Sequence, residues 1–183
     1  MFLGMDITFN DDDGTVSILM NKYLKEAIVD SGMDVSKVAP TPAKKDLFTI
    51  DNGSKQLDRQ QGKKFHSTVA KLVYVSKRAR TNAQLASIAF LCTSISCGTE
   101  QDWSKLIQLL QYFNGTLDIP LILGADSLAK SKLWVDAAYA VHDDMKSHTG
   151  GATSLGCGVI MCKSTKQKLA EVVGSSDYLP NTI

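Results

Sequence analysis

The feature that most constrains this fold is a block of helical periodicity in mid-chain with strand-like runs on both sides. Phe65, Val69, Leu72 and Ser76 fall on one helical face. Leu85, Ile88, Cys92 and Ile95 repeat the spacing, and Trp103, Leu106, Ile107, Leu110 and Phe113 repeat it again. Asp102 is placed to cap the last of these helices and Asn114-Gly115 to stop it. Three amphipathic helices of this kind predict a small bundle.

The flanks predict β structure. FLGMDITFN and TVSILM are β-rich runs around DDDG, where Gly14 can supply positive φ, so the chain opens as a hairpin with a solvated acidic tip, Asp11-Asp12-Asp13. Asn21 then caps a helix whose apolar stripe is Tyr23, Leu24, Ala27 and Ile28, with Gly32 as its C-cap. From Met33 to Gly62 the periodicity dissolves, which predicts a surface connection or hinge and a boundary at its end. After residue 117, LDIPLILG, SKLWVDAAYA and GGATSLGCGVIMCK are strand-like again. The expected class is therefore α+β, in regions 1–62, 63–117 and 118–183. Each is too small to bury a core independently, so the chain is expected to be a slice of something larger, cut and not finished at Ile183.

Composition narrows the function classes. At 44% hydrophobic and 21% charged residues, the chain has apolar surface enough for a core. Twenty Lys+Arg against nineteen Asp+Glu leave a net charge of +1, which removes the global basicity of many nucleic-acid binders. A local signal remains. Residues 63–80 hold Lys63, Lys64, Lys71, Lys77, Arg78 and Arg80 without an acid, and the seven-residue spacing of Lys64, Lys71 and Arg78 lines them up beside the Phe65/Leu72 stripe. One face would pack while the other met phosphates through salt-sensitive contacts. The first residues lack a basic n-region and no run reaches about 18 apolar residues, so an intracellular setting, cytoplasmic or nuclear, is expected. Cys92, Cys97, Cys157 and Cys162 have no histidine at zinc-finger spacing and read as small core residues.

Several segments, in order, resemble the Pol polyprotein of copia-type LTR retrotransposons. Phe2-Leu3-Gly4-Met5-Asp6-Ile7 resembles the segment after the polymerase active site, and Ala39-Pro40-Thr41-Pro42-Ala43 its Thr-Pro-Ala linker. FHSTVAKLVYVSKRART resembles a thumb-region helix, and DWSKLIQLLQYFNGTLDIPL the helix leading into ribonuclease H. Trp134-Val135-Asp136-Ala137-Ala138-Tyr139, HDDMKSHTGG and STKQK resemble the first strands of ribonuclease H. The resemblance implies the end of a reverse transcriptase palm with its linker over 1–62, a thumb-like helical block over 63–117, and the opening strands of an incomplete ribonuclease H-like α/β domain over 118–183. It also implies an RNA/DNA hybrid or template-primer duplex as ancestral partner, the rest of a Pol polyprotein as a possible one, and Mg²⁺ as the parent family's cofactor, with none expected on this fragment alone.

The catalytic expectations are uneven. The family's Tyr-x-Asp-Asp box is absent, so polymerase chemistry is not expected. Asp136 matches the first ribonuclease H carboxylate and would be a metal ligand; set in an apolar strand, it is expected to be costly unless partnered. Glu171 aligns best with a non-catalytic glutamate, because a stretch before it is missing, and Asp177 falls at a position of no catalytic role. His142-Asp143-Asp144 reads as a polar turn between strands. Lys64, Lys71, Lys77 and Arg78 are the expected duplex contacts. The chain is thus expected to be inert by itself; the alternative is a non-catalytic module that binds nucleic acid or a polymerase subunit.

Overall fold

A computed structural model describes residues 2–81, 85–142 and 144–168. The expectations for Glu171, Asp177 and the closing segment lie outside them.

The hairpin forms as expected. β1 (Asp6–Asn10) pairs antiparallel with β2 (Thr15–Leu19), Gly14 turns at φ 66°, and Asp13 accepts hydrogen bonds from the Thr15 amide and hydroxyl at the exposed tip. α1 (Asn21–Ser31) follows and closes on Gly32 at φ 61°. Its N-cap is Met20, not Asn21. Asn21 lies one residue inside, where its side-chain amide donates to Asp118.

α2 (Arg59–Ser76) begins before the expected boundary, because Asp58 accepts from the Gln60 and Gln61 amides while Gln61 returns a bond to the Asp58 amide. Gly62, read as the end of the linker, is therefore helical. α3 (Leu85–Thr93) and α4 (Glu100–Asn114) complete the set. Thr99, not Asp102, caps α4. Asp102 is the reciprocal residue of a capping box, and its buried carboxylate also accepts from Ser94.

One core joins the four helices of the described residues: Leu24 and Ile28 of α1, Phe65, Val69 and Leu72 of α2, Ile88 and Leu91 of α3, and Leu106, Leu109, Leu110 and Phe113 of α4. α1 thus belongs to the helical body and not to a separate N-terminal region. A smaller cluster, Met20, Val75 and Ala79 with Ile18 and Tyr74 against it, seats the hairpin on the end of α2.

The connection from Met33 is a strap and not a loose hinge. Met33, Ala39 and Leu47 are buried, and polar side chains along one flank of α4 bind the strap backbone. Gln101 accepts from the Asp51 amide, Lys105 donates to the Thr49 carbonyl, Gln108 to Thr41, Gln111 to Asp34 and Asn114 to Val35.

The β region forms two sheets. β3 (Leu121–Ala125) joins the N-terminal hairpin, with Val16 opposite Leu123 and Ile18 opposite Leu121, and β6 (Gly156–Cys157) extends that sheet to the order β1-β2-β3-β6. The strand expected to open the third region is therefore built onto the first. β4 (Lys132–Ala138), β5 (His148–Ser154) and β7 (Met161–Lys166) make the second sheet, an antiparallel meander in that order. The α+β class holds. Among the described residues no helix is long and apolar enough to cross a membrane.

Candidate functional site

Between the second sheet and the helical body runs a trough. The part between α3 and β7 holds about 430 Å³, and an adjoining cavity of about 650 Å³ continues it over β5 to β4. Cys162 and Ser164 line both stretches, so the trough is continuous. Strand alternation puts Trp134 and Asp136 of β4, His148, Gly150 and Ala152 of β5, and Cys162 and Ser164 of β7 on one face. Gly150 stands opposite both Asp136 and Ser164, so the floor between them is bare backbone that a ligand can approach. Lys77, at the C-cap of α2, brings positive charge to the wall, whereas Lys163 alternates to the opposite face of β7 with Met161.

Asp136 does not sit as its apolar neighbours suggest. Every residue of β4 is exposed, because the strand lies at the sheet edge, so the carboxylate faces water and carries no burial penalty. The cost argument that marked it as a metal ligand therefore fails, although its place on the trough face stands. Among the described residues, no group of three His, Cys, Asp or Glu side chains is placed to hold a metal ion.

At the other end of the trough is a relay that the sequence reading missed. His142, 5% exposed, shares a hydrogen bond of 3.1 Å with His148 Nδ1, and His148 Nε2 lies 2.6 Å from Ser164 Oγ. Phe48 of the strap packs on both rings and on Phe90 of α3. Burial holds the His148 imidazole below its ordinary pKa, so it is neutral near pH 7. His142 lies in the expected turn between β4 and β5, but its side chain is buried. Asp144 nearby is held well below the usual carboxylate range by hydrogen bonds from Lys166 and Lys146. The two histidines are six residues apart across a turn, and only their alternation with the strand could have paired them in advance.

The lysines predicted to meet phosphates have diverse fates. Lys71 pairs with Asp30 of α1, and the Lys64 ammonium lies beside Gly32 at the C-terminal end of α1. Arg78 stacks on Tyr74, 3.6 Å from its ring centre, and donates to the Tyr74 carbonyl. Their common stripe is the flank against which α1 packs. Arg80 is buried, donates to the Thr116 carbonyl and hydroxyl, and has its guanidinium pKa lowered by burial. Lys77 alone of the four named contacts reaches the trough. No cysteine is fully buried: Cys97 and Cys157 are exposed, while burial raises the thiol pKa of Cys92 and Cys162. Comparison with protein-family models, with curated proteins and with solved structures finds no match to this chain.

Proposed function

We propose that this chain is a nucleic-acid-binding piece of a copia-type retroelement polyprotein, reverse transcriptase to ribonuclease H, that holds an RNA/DNA hybrid or template-primer duplex without cutting it. The observation that carries the reading is the trough: a bare glycine floor, an aromatic side chain at Trp134, and the ammonium group of Lys77 on the wall. A sugar-phosphate backbone needs close approach and cations, and a base needs a ring to stack on. Lys64 on α2 is exposed and adds charge outside the trough; Lys71 and Arg78 are engaged within the fold and contribute less.

Magnesium would supply water activation and leaving-oxygen stabilisation in the parent family. Among the described residues no group of three His, Cys, Asp or Glu side chains is placed to hold it, and no cleavage step is routed through it.

Hybrid binding measured between about 50 and 200 mM salt is expected to weaken steeply. Lys77→Glu is expected to flatten that slope by about one ion contact. Unchanged binding in this variant would remove the trough from the reading. Hybrid cleavage with magnesium that is lost on Asp136→Asn would overturn the inert assignment.

A further inference from the structure

The second sheet ends on an open strand. Among the described residues β4 pairs with β5 alone, and all its residues are exposed. Leu133, Trp134 and Val135 form three consecutive apolar residues exposed to 67%, 52% and 68%. An edge of this length with neither proline nor bulge is a template for another strand.

Its sequence specifies which strand. Laid antiparallel on itself about Trp134, the run Lys132-Leu133-Trp134-Val135-Asp136 is self-complementary. Lys132 faces Asp136 at both ends, Leu133 faces Val135, and Trp134 meets its own copy on the two-fold axis. Opposite charges and aromatic pairs at facing positions each stabilise an antiparallel ladder. Shifting the axis to Val135 sets Lys132 opposite Ala138 and Asp136 opposite Trp134, which discards both charge pairs. The present partner of Lys132 is Asp126, in an exposed ion pair that can be shared or given up at little cost.

We propose that two copies of this chain associate through β4 in that register, forming one sheet that runs β7-β5-β4 and continues β4-β5-β7 of the second copy. The interface is isologous and closes at two. With one strand a side it belongs to the smallest interface class, so the dimer forms and dissociates with concentration. The register puts both troughs on the same face of the joined sheet and gives each Asp136 a lysine partner. This inference is independent of nucleic-acid binding, and its test uses no nucleic acid.

Sedimentation or light scattering of the full chain, from dilute to concentrated solution, is expected to show a monomer-dimer equilibrium. Asp136→Lys sets lysine against lysine and Lys132→Asp sets acid against acid; each is expected to weaken the dimer about tenfold. Combining them restores opposite charges, and with them the dimer. The sites are exposed, so far-ultraviolet circular dichroism and melting of the variants should match the parent. Dimer formation is also expected to produce an exciton couplet from the paired Trp134 rings. A monomer at every concentration, single variants without effect, a double variant that fails to recover, or assembly beyond two would each overturn the proposal.

Discussion

Lys71 shows how a residue's partner changes its meaning. Its place in a heptad with Lys64 and Arg78 is a property of helix geometry, but Asp30 stands beside it because α1 packs on that flank. His148 offers a sharper test. Above about pH 6.5, the ordinary imidazole value, the ring is neutral in both folded and unfolded chains. Below it the unfolded chain takes up the proton first, because burial has lowered the folded value. Stability is therefore expected to decline as pH falls from about 6.5 toward the folded value, and His148→Gln should flatten that part of a denaturation profile. Gly158 gives a second test. At φ 76°, a Cβ there would lie 2.0 Å from the Ile122 carbonyl oxygen, whereas a Cβ at Gly14 would meet nothing within 4 Å. Gly14→Ala is expected to cost about 1 kcal/mol, for backbone strain alone. Gly158→Ala should cost on the order of 2–4 kcal/mol and loosen β6 from β3, as read by urea unfolding and amide exchange.

Elements were legible to the extent that their signals are local. The hairpin, the four helices and the Gly32 stop follow from side chains within a few residues of one another. Cap positions slipped by one to three residues, because Asp102 and Thr99 satisfy each other and either alone resembles a cap. The strap was unreadable for a different reason. Its anchors, Gln101, Lys105, Gln108, Gln111 and Asn114, look like an ordinary solvated helix face until the backbone they bind is brought alongside. Replacing Gln108, Gln111 and Asn114 together by alanine is expected to free residues 34–41 and speed tryptic cleavage at Lys37. The global cost should stay near 1–3 kcal/mol, since each is a single neutral hydrogen bond.

The whole molecule ties together what the sequence divides into three. Leu24 and Ile28 from the first region lie in the same core as Phe65 and Phe113 from the second, and β3 from the third completes the sheet of the first. A peptide of residues 63–117 is therefore expected to lack fixed tertiary structure, as measured by amide dispersion in NMR. Leu24→Ala in the full chain should cost roughly 2–5 kcal/mol and lower protection in α2 and α4 alike. Independent folding of the peptide would contradict the shared core.

The sequence by itself determined the α+β class, the hairpin, the four helices and the strand-forming runs, because periodicity, caps and turn residues act within a few positions along the chain. Only the tertiary structure decided that β3 pairs with β2, that the strap lies along α4, that His142 reaches His148 and Ser164 follows, and that Asp136 faces water on an open edge. Those outcomes depend on which distant segments meet. The physical reason is that burial and pairing are properties of the packed chain, and local period specifies a face without specifying what will cover it.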